Sequence, residues 1–456
     1  MSLSKFESML KTNSIYFFDL VEFEEIIVHY LDTGKHSLAK KAVKLGLEQH
    51  PTSVDLKLLD VEILIFDNRL EKASQKLKRI QLLDPNNQEV YIQKATIFSK
   101  NGNHKEAIKN LKIAQTYSGD KVDIWSMMGM EYLYIDDFEK ARLSFAKCIE
   151  VDFEDYSSLY NVVYCFDMEK NHEQAILFLN AYLNNNPYCE VAWHQLGRQY
   201  FVLKRFKEAL TCFDYAVLID ETFIGGYLEK AKTYEQLCDF EEAVKNYMIT
   251  LELDDPTAYV YLRIGECYQQ LGKLDTAVEF YKKSVYEDPF LDKGWILLTE
   301  VYNSQEDYQK ALYYISEALK IDENNVTYWR KYSEINIKLS SYEESIKGFE
   351  KCLELNDCAV EIYIALSDVL LFIGEFQDAI KVLFLAQKKY KHFAEIEYRL
   401  SGLFFLLKKE SYALTHLINA MKIDYDYYLI FQELFPKVYS NIKVQKLLQN
   451  YKKAIE

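Results

Sequence analysis

The chain is poor in the residues that break or bend a backbone. Its 456 residues include only 14 glycines and 6 prolines, too few for a turn-rich β protein or for long disordered linkers. The eight cysteines (Cys148, Cys165, Cys189, Cys212, Cys238, Cys267, Cys352 and Cys358) contain no Cys-x-x-Cys pair and no zinc-type Cys/His spacing. Buried, reduced thiols and an intracellular, cytoplasmic setting are expected. No apolar run approaches the ~18 residues that a membrane span needs. The N-terminal apolar stretch carries acidic residues and no cleavage site, so neither a membrane anchor nor a secretory signal is expected. Positive charge is also short. A formal charge of −16 leaves no basic stripe to displace counterions from phosphates, which argues against a nucleic-acid binder and suits a chain that meets basic partners.

Catalytic constellations are missing as well. There is no glycine-rich phosphate loop, no His-Glu-x-x-His and no Gly-x-Ser-x-Gly. The triplet Leu271-Gly272-Lys273 reads as a turn. His36, His104 and His172 lie at intervals of 68 residues, a periodicity rather than a site. The pairs Asp136-Asp137 and Asp254-Asp255 read as solvated helix caps. No enzymatic activity, cofactor or metal is expected.

What the sequence has is a period. In the stretch from Glu190 to Phe223, Trp193, Leu196, Gly197 and Tyr200 recur at helical spacing, and so do Phe206, Ala209, Leu210, Phe213, Ala216 and Val217. They predict two amphipathic helices joined by a turn at 203–205, with Gly197 and Ala209 letting two backbones approach. Steps of 34 residues from Ala209 reach Ala39, Ala73, Ala107, Ala141, Ala175, Ala243, Ala277, Ala311, Ser345, Ala379 and Ala413. All four tryptophans, Trp125, Trp193, Trp295 and Trp329, share another position of the same period. Gly34, Gly102, Gly272, Gly374 and Asn68 mark the turn inside the unit, where a left-handed helix end is needed. Pro51, Pro85, Pro187, Pro289 and, one residue late, Pro256 mark the turn between units.

Order and spacing resemble the tetratricopeptide repeat, a 34-residue helix-turn-helix whose signature runs Trp, Leu-Gly, Tyr, Ala, Phe, Ala, Pro. Glu221 stands in place of the closing Pro in the Glu190–Phe223 unit. The resemblance implies an all-α fold, a right-handed α-α superhelix or solenoid of tandem helix pairs. Twelve units are expected over residues 20–427, starting near 20, 54, 88, 122, 156, 190, 224, 258, 292, 326, 360 and 394. Residues 1–19 would form an N-terminal capping helix with Phe6, Met9 and Leu10 on its apolar side. Residues 428–456 would form C-terminal capping helices broken at Pro436, with a basic last helix. The motif is weakest at the ends, where Lys57 and Glu397 occupy aromatic positions.

The same resemblance implies that first helices line a groove that holds a protein or peptide. The repeat register puts Met130, Tyr134, Tyr160, Tyr164, Met168, His194, Arg198 and Phe201 on that face, together with Leu133 and Val202. In later units the face turns polar, with Lys232, Glu235, Glu266, Gln269, Gln270, Glu300, Arg330 and Glu334. It returns to apolar with Leu371, Phe372, Tyr398, Phe405 and Leu406. No unit carries the Lys–Asn pair with which some family members clamp a chaperone's C-terminal carboxylate. A non-enzymatic interaction scaffold for a protein or peptide partner is expected. The alternatives are a structural subunit of a larger assembly, or a homo-oligomer formed through the apolar terminal repeats. A peptide-responsive regulator is disfavoured, because residues 1–19 are too short and too weakly basic for a DNA-binding module. The far-ultraviolet circular dichroism spectrum should be that of a helical protein, and a substantial β component would refute the array.

Overall fold

In the computed structural model, residues 2–12, 16–119, 121–254, 257–357 and 359–455 are described. Asp255, Pro256 and Cys358 lie outside them. Among the described residues there are 28 helices and no strand. Two compact units divide the chain, residues 1–233 and 234–456, with the division inside helix α14 (Ile224–Gln236).

The first unit opens with α1 (Ser2–Thr12), followed by pairs α2 (Leu20–Asp32) and α3 (His36–Gln49), α4 (Val54–Phe66) and α5 (Leu70–Leu83), and α6 (Gln88–Lys100) and α7 (His104–Tyr117). It continues through α8 (Val122–Leu133) and α9 (Phe138–Val151), α10 (Tyr156–Met168) and α11 (His172–Asn185), and α12 (Glu190–Val202) and α13 (Phe206–Ile219). The second unit holds α15 (Phe240–Leu253), α16 (Ala258–Gln270), α17 (Leu274–Glu287), α18 (Asp292–Ser304), α19 (Tyr308–Ile321), α20 (Val326–Lys338) and α21 (Tyr342–Glu354). After these come α22 (Val360–Ile373), α23 (Phe376–Lys389), α24 (Ala394–Leu406), α25 (Glu410–Ile423), α26 (Tyr428–Leu434), α27 (Pro436–Tyr439) and α28 (Ile442–Ile455). Within each unit the helices pack chiefly on their sequence neighbours, the arrangement of a solenoid.

One turn geometry joins the helices of every pair. Positions 34, 68, 102, 136, 170, 204, 238, 272, 306, 340, 374 and 408 all have positive φ, from 54° at Lys170 to 89° at Gly374. The residue after each donates its N–H to the carbonyl five residues back, at 2.8 to 3.0 Å, as Arg205 does to Tyr200 and Lys35 to Tyr30. This six-to-one bond closes a Schellman motif and satisfies carbonyls that the helix end would leave bare. Only four of the twelve positions are glycine. At Lys204 or Glu306 the side chain carries the steric cost of a left-handed backbone, and the closing bond offsets it.

The packing follows from the turn. Ala39 and its equivalents through Ala413, with Ser345, are fully buried. So is the position four residues on, from Val43 through Phe145, Phe213, Tyr247 and Tyr281 to Leu417. A Cβ on Gly129 would meet the Phe145 ring at 2.6 Å, one on Gly265 would meet Tyr281 at 2.5 Å, and Gly197 lies under Phe213 in the same way. The space at these glycines is therefore taken by an aromatic ring of the second helix, not by an approaching backbone as the sequence suggested. The relation is inverted where Gly348 of α21 makes room for the Ser333 side chain of α20.

A second device ties four of the turns between repeats to the helix that follows. The indole N–H groups of Trp193, Trp295 and Trp329 donate to the carbonyls of Pro187, Pro289 and Glu323 at 2.8, 3.0 and 2.8 Å. The Tyr91 hydroxyl does the same to Pro85 at 3.0 Å. Six of the seven described cysteines are buried free thiols, while Cys238 is exposed in its turn. At the N-terminal end, Phe6 is buried against the Phe18, Phe23 and Tyr30 rings. At the other, Pro436 begins α27, and Val444 and Leu448 of α28 are buried.

Replacing Lys204 by glycine should relieve the left-handed strain and stabilise the chain by about 0.5–1 kcal/mol. The check is the urea midpoint of the first unfolding transition, followed by circular dichroism.

Candidate partner-binding face

The expected site residues fall on three successive first helices, α8, α10 and α12. Tyr160, Tyr164 and Met168 are spaced by four on α10, which puts them on one face; eight residues of helix span about 12 Å. They are 41%, 48% and 49% exposed. Met130 of α8 and Tyr134, the residue that ends it, are exposed too, and Arg198 of α12 is exposed at the equivalent register position. Met130, Tyr164 and Arg198 are equivalent positions 34 residues apart, as are Tyr134, Met168 and Val202. The Arg198 guanidinium reaches only the Gln195 side-chain oxygen, at 3.3 Å. Among the described residues no carboxylate pairs with it.

His194 and Phe201 sit deeper. The His194 ring lies between Phe213 and Phe223, with centroids 5.8 and 5.2 Å away. Burial depresses its pKa from 6.5 to about 4, helped by Arg198 and Lys232 and opposed by Glu229. The ring is therefore neutral near pH 7 and part of the wall. Phe201 packs its ring on Phe206 at 5.5 Å and is half-buried.

The three periodic histidines bind helices together. His104 Nδ1 lies 2.9 Å from the buried Glu131 carboxylate, and its ring lies tilted against that of Tyr134, centroids 4.8 Å apart. His172 Nδ1 lies 2.9 Å from Gln199 Oε1. His36 stacks on Phe66 at 3.8 Å.

One expected groove residue is misplaced by the sequence reading. Tyr398 is only 1% exposed, and its hydroxyl donates to the carbonyls of Asp424 and Tyr425 at 3.2 and 3.1 Å. It anchors α24 to the chain beyond α25 and presents nothing outward. Among its apolar companions, Phe405 is half-buried, while Phe372 and Leu406 are exposed; the Phe372 ring lies 4.8 Å from that of Tyr342.

Of two polar clefts, the sequence marked residues of one as a polar stretch of the face and missed the other. In the second unit a cleft of about 340 Å³ is lined by Glu235, Arg263, Glu266, Gln269 and Gln270. Its carboxylates are neutralised: Arg263 bridges Glu235 and Glu266, and Lys293 reaches Glu266 at 2.6 Å. In the first unit a cavity of about 510 Å³ opens between α2, α4 and α6, lined by Glu24, Asp55, Leu58, Glu62, Glu89, Gln93 and Tyr117 among others. Glu24 and Glu62 occupy the positions equivalent to Tyr160 and Tyr164. The register that found the tyrosines would have found them.

The tetratricopeptide repeat family model matches residues 122–155 and 258–290. Over 145 residues the chain is 26% identical to anaphase-promoting complex subunit 3 of Schizosaccharomyces pombe, a match covering 32% of this chain and 22% of that protein. It therefore spans well under a third of that relative. Solved structures of similar build include the Cut9–Hcn1 hetero-tetramer of the APC/C, at 14% identity and a TM-score of 0.34 over 95% of this chain and 90% of that one. Another is the C-terminal part of a repeat protein from Cytophaga hutchinsonii, at 13% identity and 0.41 over 60% and 98%. A third is YrrB, described as having an unusual peptide-binding site, at 11% identity and 0.34 over 39% and 91%.

Between pH 7 and pH 5 the unfolded chain takes up a proton at residue 194 that the folded chain refuses. Stability contributed there is present above about pH 6.5 and is lost as pH falls toward 4. In urea titrations at pH 7 and pH 5, His194→Gln should therefore lose less stability on acidification than the wild type.

Proposed function

Because this chain is a tetratricopeptide repeat protein, we propose that it is a protein–protein interaction scaffold without catalytic activity of its own. Its repeats are twelve, over residues 20–427, with helical caps at 1–19 and 428–456. The partner is a protein segment laid across the first helices α8, α10 and α12. The observation that carries this reading is the row of exposed Met130, Tyr134, Tyr160, Tyr164 and Met168, large side chains that the core does not use. Aromatic and methionine side chains presented in this way make adaptable anchors. Arg198 supports a carboxylate on the bound segment, since a guanidinium with no acid partner is a ready fork for one. His194 and Phe201 serve as the floor beneath those anchors.

A second reading, a structural subunit of a larger assembly, is supported by the relative named as a complex subunit and by exposed Phe372 and Leu406 near the C-terminal end. Self-association through that end would appear in light scattering as a mass above one 53.9 kDa chain.

Affinity capture followed by mass spectrometry separates the two. Tyr164→Ala combined with Arg198→Glu should weaken capture of the partner by about 30-fold or more, the scale of one lost hot spot, with helicity unchanged. Normal capture by the folded double variant would sink the assignment to this face.

A further inference from the structure

We propose that the cavity between α2, α4 and α6 is a receptor for a cationic side chain, a lysine or arginine presented from within a basic protein segment. The proposal stands apart from the α8–α12 face and does not require it.

Four carboxylates converge on this cavity: Glu24 from α2, Asp55 and Glu62 from α4, and Glu89 from α6. Elsewhere the chain pairs acids with bases freely, as at Lys40–Asp67 on the neighbouring turn and Arg142–Glu169 farther along. None of these four has such a partner among the described residues. Instead they press on one another. Burial raises the Glu24 carboxyl and Asp55 raises it further; burial raises Glu62, with Glu89 and Asp32 adding to it; burial raises Glu89, opposed by Gln93. A carboxylate held above its usual range by burial and by like charges gains most from a cation brought close.

The second observation is independent of charge. Gln93 lines the same cavity at 4% exposure. Its amide N–H group donates to the Leu58 carbonyl at 3.2 Å, which fixes the side chain and leaves its oxygen without a partner. Glu24 Oε1 is likewise buried and unpartnered. Buried acceptors without donors are uncommon, and here two belong to residues that line one cavity. Ammonium and guanidinium groups carry several N–H donors and no acceptor, which is what this lining lacks. Asp55 and Glu62 stay open to solvent, so an incoming side chain has a charged entrance. At the rim, Tyr117 stacks on Tyr91 at 5.8 Å and is 44% exposed, which offers an aromatic face to the stem of the guest. The same acidic walls repel a chain-terminal carboxylate, so the guest residue comes from inside its segment.

The test uses the full chain and a fluorescein-labelled, C-terminally amidated alanine heptapeptide with two central arginines, read by fluorescence anisotropy. The Glu62→Gln/Glu89→Gln variant should bind at least tenfold more weakly than the wild type. A peptide with citrulline in place of arginine should lose binding to the wild type to a similar degree. Glu139→Gln/Glu241→Gln, which removes the same charge from exposed positions elsewhere, should bind as the wild type does. Equal weakening in the two glutamine pairs would overturn the proposal, because it would trace binding to the chain's overall negative field. Failure of the wild type to bind the arginine peptide would overturn it as well. Without peptide, Glu62→Gln/Glu89→Gln should raise the urea midpoint by removing repulsion; a lowered midpoint would contradict the claim that these carboxylates repel one another with no base to offset it.

Discussion

The hydrogen bond that closes each turn is the constraint on which the packing rests. It runs from the residue after the left-handed position to a carbonyl in the last turn of the first helix, and it recurs in all twelve pairs. By fixing where the second helix departs, it decides which side chains meet. A ring such as Phe213 can then settle over Gly197, and a Cβ as small as that of Ala209 can be wholly enclosed. Each pair still has apolar surface to bury, and the next first helix covers it. A Cβ on Gly226 would meet Val217 of the preceding helix at 2.5 Å, and one on Gly294 would meet Val285 at 2.6 Å. Local turn chemistry thus sets long-range order with few contacts distant in sequence, the economy typical of repeat proteins.

Much of this was legible in the letters. The alanine period gave the helix pairs, because only a small residue tolerates complete enclosure at that point. The turn was visible at Gly34, Gly102, Gly272, Gly374 and Asn68, yet the same backbone occurs at Lys170, Lys204, Cys238 and Glu306. There the residue type is uninformative, since a hydrogen bond to the helix end, not a lack of Cβ, holds the conformation. Depth was the other blind spot. The register states which way a side chain leaves its helix, but not what waits there. His194 leaves toward the outer face and finds Phe213 and Phe223; Tyr398 does so and finds two carbonyls beyond α25. The acidic cavity escaped notice because each of its carboxylates, read singly, looks like a solvated helix residue.

Charge is handled differently at equivalent places in the two units. Around Arg263 the acids of the first-helix face are bridged and quiet. Around Gln93 they are gathered and left unmatched. An unmet buried acceptor costs stability, and at Gln93 and Glu24 that cost falls on residues lining a cavity, where a guest could relieve it. The exposed tyrosines and methionines of α8 and α10 make a separate surface, apolar where the other is acidic. A partner engaging both would be read by two unlike chemistries, and specificity would come from their spacing as much as from either alone.

The indole ties have a consequence of a different kind. Trp193 in the first unit, and Trp295 and Trp329 in the second, each hold their ring N–H on a carbonyl six residues back. An indole released from such a bond and exposed to water shifts its emission to the red. The chain therefore carries its own optical gauges, set at the joints between repeats and distributed over both units. Loosening of a joint could be watched by light alone, with no label added.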